Sequence, residues 1–533
     1  MLNQMIERIL RARVYEVARE SPLAAAPRLS QRLGNRVWIK REDLQPVFSF
    51  KLRGAFNKIV HLSAAQRRRG VIAASAGNHA QGVALAAREL GLEALIVMPR
   101  TTAAIKVDAV RALGATIVLV GDNYDAAGAH ALGLAAARGL TLVHPFDDLD
   151  VIAGQGTIGM EILRQHSGPL HALFVPVGGG GLIAGVGAYS KFVRPETRVI
   201  GVEPDDAPTL SRALAAGRRV VLDHVGPFAD GAAVRQIGRE TFRLARRVVD
   251  EVILVSTDET CGAIKDIFED TRTIAEPAGA LAVAGLKKYV ARERLRDAAL
   301  VAIESGANMN FDRLRHVAER AELGEHREAL LAVTIPERAG SFLAFCQAIG
   351  ERNVTEFNYR YHDAARAQVF VGVELSEGQH EREALVARLV AAGYGVVDLT
   401  DNETAKLHIR YMVGGHAQGL RDETLWRVEF PERRGALLGF LREMGGRWNI
   451  SLFHYRNHGA DYGRVLIGLQ LDTHARRAFV ELLHGLGFPH HEETHNPACR
   501  SFAGAEGPAT TRRARAQPIR KSRGKSSSKP GSS

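Results

Sequence analysis

The sequence predicts a parallel, doubly wound α/β core followed by two tandem ferredoxin-like units. Three observations carry that reading. Short apolar, β-branched runs alternate with longer alanine-rich stretches over about the first 320 residues. Several of those runs stop abruptly at small or polar residues. Beyond residue 325 one pattern of strand, helix, strand, strand, helix, strand occurs twice.

In chain order, "GVIAASAG", "EALIVMP", "ATIVLVG", "HALFVPVGG", "RVIGVEP" and "AALVAIESG" read as strands buried on both faces. "HAQGVALAARELG" and "TAAIKVDAVRALG" read as helices between them. The repeat matches "AVTIPERAGSFLAFCQAIGERNVTEFNYRY" (332–361) to "RVEFPERRGALLGFLREMGGRWNISLFHYRN" (427–457). Pro336 aligns with Pro431 and Gly340 with Gly435; one inserted residue later, Asn353 aligns with Asn449, Tyr359-Arg360 with Tyr455-Arg456 and Gly372 with Gly468. The expected limits are 1–325 for the core, 326–402 and 421–498 for the repeats, 403–420 for a connector and 499–533 for a basic tail.

Of the +11 net charge, residues 500–533 hold +8 (nine Lys or Arg against Glu506), which leaves +3 for the rest. The basicity belongs to a tail too polar to bury a core, so nucleic acid is expected only in non-specific contacts of that tail. Cys261, Cys346 and Cys499 are widely spaced and fit neither a disulfide framework nor a thiolate zinc site. The first twenty residues lack the apolar run of a signal peptide, and no stretch approaches a membrane span. A cytoplasmic protein with no membrane partner is expected.

Four strand ends carry candidate chemistry. Lys51, in "VFSFKLRGAFNK", follows the strand "RVWIKRE"; "SAGNHAQG" (75–82), "GGGGL" (178–182) and "SGAN" (305–308) follow three others. In a parallel sheet the carboxyl ends share one edge, where ligands bind, so these turns are expected to meet. Gly178, Gly179, Gly180 and Gly181 lack β-carbons and precede a helix that opens at Leu182, an arrangement suited to a phosphate. A nucleophilic lysine must be neutral, and apolar neighbours or a nearby cation such as Arg53 would lower its pKa.

Two rival patterns occur. Gly179-x-Gly181-x-x-Ala184, with Glu203 ending the next strand, fits a dinucleotide fingerprint but leaves Lys51, Asn78 and Ser305 without a task. "HEETH" (491–495) fits a zinc-peptidase helix, yet its surroundings place it on the last strand of the second repeat, so no metal site is expected.

Taken together, "SFKLRGA", "SAGNHAQG", "GGGGL", "FADGAAV" (228–234), "EPAGA" (276–280) and "SGANMNF" (305–311), with the paired repeats, resemble the biosynthetic threonine dehydratases, pyridoxal-phosphate enzymes of fold type II with ACT-like regulatory repeats. The resemblance covers about residues 5–498. It implies that Lys51, with Phe50 beside it, anchors pyridoxal 5'-phosphate and acts as the base. It further implies that Asn78 bonds the ring hydroxyl, that Gly178, Gly179, Gly180, Gly181 and Leu182 hold the phosphate, and that Ser305 faces the pyridine nitrogen. Ser75, Ala76, Gly77, Asn78 and His79 would grip the substrate carboxylate. The implied reaction converts L-threonine to 2-oxobutanoate and ammonia, with L-serine as a secondary substrate. Isoleucine as inhibitor, valine as antagonist and a homotetramer follow from the same resemblance. Related serine racemases carry a cation-binding acid where this chain has Thr209, so no metal requirement is expected.

Overall fold

The computed structural model describes residues 2–336, 341–350, 352–361, 366–411, 423–431, 440, 443–444, 447–448, 450–456 and 462–502. Gly340, Gly435, Asn449 and residues 503–533 of the tail lie outside the described residues.

The catalytic part holds two mainly parallel sheets, in keeping with the doubly wound α/β core expected. Strands β1 (Leu23–Ala25), β2 (Arg36–Arg41), β7 (Ala172–Pro176), β8 (Arg198–Pro204), β9 (Glu251–Val255) and β10 (Ala299–Glu304) form the larger, in the order β1-β2-β10-β7-β8-β9. All its neighbours run parallel except the antiparallel edge strand β1. Strands β3 (Val71–Ala74), β4 (Ala94–Met98), β5 (Thr116–Leu119) and β6 (Thr141–Leu142) form the smaller, fully parallel sheet in the order β5-β4-β3-β6. Every residue of β3, β4, β7 and β10 is buried, as near-continuous apolar runs require when helices cover both faces.

Three helices meet beneath the large sheet's carboxyl edge: Lys51–Val60, Leu149–Gln165 and Gly181–Val193. Their backbones touch. A Cβ on Gly154 would lie 2.7 Å from the Arg53 carbonyl oxygen, and one on Gly185 would meet the Ile152 carbonyl. Only glycine allows that approach. Asp148 accepts backbone N–H bonds from Asp150 and Val151 and so starts the middle helix.

A four-charge cluster locks this junction. The guanidinium of Arg53 donates two bonds of 2.8 Å to Glu42 and two, of 2.5 and 3.0 Å, to Glu161. The Lys40 ammonium lies 2.6 Å from Glu161, and all four side chains are completely buried. Arg53 therefore points into the carboxylates, and the expectation that it tunes Lys51 as a neighbouring cation is corrected: its partners already neutralise it.

Among the described residues, the strands of both repeats form as expected. Strands β11 (Glu328–Pro336), β12 (Val354–Tyr361), β13 (Arg366–Glu374) and β14 (Gly395–Asp398) form an antiparallel sheet ordered β12-β13-β11-β14. Strands β15 (Glu423–Pro431), β16 (Ile450–Arg456), β17 (Tyr462–Gln470) and β18 (His490–Glu492) repeat it as β16-β17-β15-β18. The "HEETH" segment begins on β18, with His491 opposite Arg427, so it is strand and not helix.

Removing one partner from a buried ion cluster strands the others. Arg53→Leu should cost about 3–5 kcal/mol, seen as a lower unfolding midpoint of the catalytic part in thermal circular dichroism. An unchanged midpoint would show that the cluster contributes nothing.

Candidate active site

The four strand ends named by the sequence do meet, in a cleft between the two sheets. Residues 47–50 are zippered to residues 305–308. The Phe50 N–H donates to the Ser305 carbonyl (3.2 Å), the Ala307 N–H donates to the Phe48 carbonyl (2.9 Å), and Ser49 bridges Gly306. This pairing fixes where the Lys51 helix starts. Phe48 pays for it with a φ of 54°, in the left-handed region. Across the cleft, Asn78 opens the helix Asn78–Glu89 just beyond β3. Its Nδ2 donates to Glu276 Oε1 (2.5 Å), while Asn308 Nδ2 donates to Asn78 Oδ1 (2.6 Å) and to the Val47 carbonyl (2.8 Å).

Lys51 is half-buried, and its Nζ donates to the Pro145 carbonyl (3.2 Å) and sits 5.2 Å from the Phe50 ring centre. Burial lowers its pKa to about 8, although Glu276 pulls the other way. The amine is therefore partly neutral near physiological pH, and the cause is desolvation rather than a neighbouring cation. Burial first, and the charge of Asp230 second, raise Glu276 to about 7. Asp230 itself lies 2.5 Å from Lys106 and 3.5 Å from Arg313, which hold its carboxyl far below the usual range despite burial.

Each residue of the glycine run has a reason to be glycine. A Cβ on Gly178 would come within 2.9 Å of Ala232 Cα, and one on Gly179 would enter the Phe146 ring at 2.1 Å. Gly180 has φ +87°, and a Cβ on Gly181 would press on Phe146 at 3.1 Å. The helix Gly181–Val193 then presents its N-terminal end, and Leu182 is buried with Phe50 in one cluster. A bare, amide-rich cradle at a helix start, beside a desolvated lysine, fits the phosphate and aldehyde of pyridoxal phosphate. Ser305 is 4% exposed, and its hydroxyl reaches the Ala278 carbonyl at 3.4 Å. No carboxylate stands in its place.

Ser75, Ala76, Gly77 and Asn78 are partly exposed to the cleft, and the Gly77 N–H donates to Ser75 Oγ (3.3 Å). The His79 ring turns inward. It is 2% exposed, its Nε2 bonds the Val143 carbonyl (2.8 Å), and burial, then Lys51, lower its pKa to about 3. Only its backbone remains with the loop. The Glu203 carboxylate accepts the N–H groups of Leu210 (2.7 Å) and Ser211 (2.9 Å), and it is fully buried. It caps a helix, which removes the ribose-binding role of the dinucleotide alternative. The Thr209 hydroxyl reaches the Ala207 carbonyl (3.4 Å).

Glu276, Asp230 and Lys106 were not assigned roles by the sequence, though "EPAGA" and "FADGAAV" contain two of them. Pro145-Phe146 was missed because β6, the strand before it, has only two residues.

Comparison with known proteins agrees with this geometry. Residues 14–306 match the family described as pyridoxal-phosphate dependent enzyme, and residues 319–409 and 414–503 match the C-terminal regulatory domain of threonine dehydratase. The chain is 57% identical over 503 residues to a biosynthetic L-threonine dehydratase of Burkholderia multivorans, covering 94% of this chain and 99% of that one. The corresponding protein of Escherichia coli is 54% identical over 499 residues, covering 94% and 97%. Among solved structures, the processed form of threonine deaminase isoform 2 from Solanum lycopersicum has a TM-score of 0.59 and 51% identity, over 60% of this chain and 93% of that one.

In the cofactor-free protein, an aldehyde reagent should modify Lys51 faster as pH rises through about 8, because only the neutral amine reacts, and the rate should level off above it. Peptide mapping after reduction measures this. A rate still climbing steeply at pH 10 would show an unperturbed amine.

Proposed function

The chain belongs to the biosynthetic threonine dehydratases, and from that premise we propose how its own residues carry the reaction. L-threonine loses its Cα proton and β-hydroxyl as water. Water is taken up again when the C–N bond is hydrolysed, leaving 2-oxobutanoate and ammonia. Pyridoxal 5'-phosphate, when bound, supplies the electron sink that makes the Cα proton removable.

The chain's residues do the rest. Lys51 would hold the cofactor and, as a free amine, would be the base for the Cα proton; its pKa of about 8 suits that task. Gly178 to Leu182 bind the phosphate with backbone amides. Asn78 positions the ring hydroxyl, held on both sides by Glu276 and Asn308. Ser75 and the amides of the Ala76–His79 turn, at the start of a helix, take the substrate carboxylate. Ser305 offers the pyridine nitrogen a neutral hydroxyl, which gives a shallower electron sink than an aspartate would and favours prompt elimination. The observation that carries this reading is the meeting of Lys51, Asn78, the glycine cradle and Ser305 in one cleft. Serine lacks one methyl, a difference worth about 1–3 kcal/mol, and so fits as a secondary substrate.

The paired repeats are the regulatory domain of this family. As effectors of these repeats we propose isoleucine for inhibition and valine for antagonism. A homotetramer in the cytoplasm completes the proposal. Among the described residues, no helix is long and apolar enough to cross a membrane.

The test is turnover of L-threonine to 2-oxobutanoate with and without isoleucine, together with borohydride reduction and mass mapping of the tagged lysine. Tagging at Lys51 and isoleucine-sensitive turnover are expected; a tag on another lysine, or no turnover by the cofactor-loaded protein, would overturn the assignment. Ser305→Asp should slow 2-oxobutanoate release at least tenfold and raise side products such as racemised threonine. Unchanged partitioning would remove the role given to the neutral hydroxyl.

A further inference from the structure

Among the described residues, the second repeat reaches the small sheet through the side chain of Tyr462. The Tyr462 hydroxyl donates to the Asp122 carbonyl at 3.3 Å, across 340 residues of chain. Asp122 follows β5, on the carboxyl edge of the small sheet. The Thr101 hydroxyl, from the segment after β4, approaches the same carbonyl at 3.5 Å, and the Arg100 N–H donates to Gly121 at 2.8 Å. The Ser75 N–H in turn donates to the Val97 carbonyl of β4 (3.1 Å). Three hydrogen-bonded steps therefore lead from Tyr462 to the loop assigned to the substrate carboxylate.

The other end of the connection is as short. In the antiparallel pairing of β15 with β17, Tyr462 stands opposite Pro431, the first residue of "PERRG". The first repeat has Arg366 opposite Pro336 at the equivalent place, so the tyrosine belongs to the second repeat alone. Arg464, on the same face of β17 as Tyr462, joins it in lining a cavity of about 20 Å³ with Phe228, Arg313 and His316 of the large domain. That is room for about one water. Arg313 donates to the Phe228 carbonyl (3.0 Å) and approaches Asp230, which also receives Lys106 from the small domain. Small domain, large domain and second repeat thus meet at one junction.

We propose that Tyr462 is a positioning residue of the cleft: its hydroxyl straps the second repeat to the small sheet, so that effector binding to the second repeat sets the place of the Ser75–Asn78 loop. The coupling rests on the effector reading given above. The loss of one neutral hydrogen bond is worth roughly two- to tenfold. The Lys106–Asp230 contact ties the same sheet to the large domain without involving the repeat, and it serves as the contrast.

The experiment uses the full-length, cofactor-loaded enzyme. Tyr462→Phe keeps the ring and removes the hydroxyl. Deuterium exchange of residues 119–126 should quicken, KM for L-threonine should move more than kcat, and the isoleucine inhibition midpoint should shift two- to tenfold. Lys106→Met should alter KM but leave that midpoint within twofold. Unchanged exchange at 119–126 in Tyr462→Phe would overturn the strap. Faster exchange with an unchanged midpoint, in a chain that isoleucine inhibits, would overturn the coupling. If isoleucine affects neither chain, the effector reading falls and the coupling with it, and exchange with KM decides the positioning role by itself.

Discussion

The buried cluster of Arg53 with Glu42, Glu161 and Lys40 is the constraint on which the active site depends. Two carboxylates and two cations out of water are tolerable only with every partner in place, so the cluster admits one arrangement of the segments it joins. Those segments are β2, the turn after it, the Lys51 helix and the helix Leu149–Gln165. Lys51 lies two residues before Arg53, and a shift of its helix would break bonds of 2.5 to 3.0 Å. The backbone contact at Gly154 makes the same demand sterically. The cluster is charged yet electrically closed, so it can sit beside a lysine that must be neutral without pulling on it.

The lysine's dryness comes from elsewhere, and it has a cost for access. Phe50 lies under the amine and the Pro145 carbonyl holds it. Both contacts come from the cleft walls, one from each side. The large sheet supplies Lys51, the glycine cradle and Ser305, and the small sheet supplies Ser75 to Asn78 and the Pro145-Phe146 turn. The site is thus divided between two sheets, and a movement of one against the other would change how dry the amine is.

What the sequence made legible was local. All six strands named from apolar runs formed, but β5 lies at the edge of its sheet with Thr116 and Leu119 exposed, so its expected burial on both faces is corrected. The glycine run could be read as a cradle since four consecutive missing β-carbons exceed what a turn needs. The direction of Arg53 could not be read: adjacency to Lys51 suggested a partner, while helical geometry sends side chains two apart to different faces. Asp230 and Lys106 lie 124 residues apart, and Asn78 and Glu276 lie 198 apart; no short-range pattern announces such pairs. The antiparallel β1 and the two-residue β6 were too short to stand out, and the loss of β6 hid the Phe146 wall of the cradle.

The joints between catalytic and regulatory parts differ in strength, and that difference says which can move. Arg320, 4% exposed, makes two bonds of 2.7 Å to Glu403 of the connector and also pairs with Asp258, which takes Lys406 as well at 2.5 Å. Arg320 and Lys406 are buried in this cluster, so breaking it would strand their charges, although Glu403 keeps one side toward solvent at 38% exposure. The start of the connector, at Glu403 and Lys406, is therefore the firmer joint. The Tyr462 contact, a single neutral bond of 3.3 Å, falls within what ligand binding can shift. A regulatory domain held by charge at Glu403 and Lys406, and touching the small sheet through the Tyr462 hydroxyl, can shift at the weaker contact and alter the cleft without detaching. Reversed strengths would give a domain that either never moved or came away, and neither could grade an enzyme's activity.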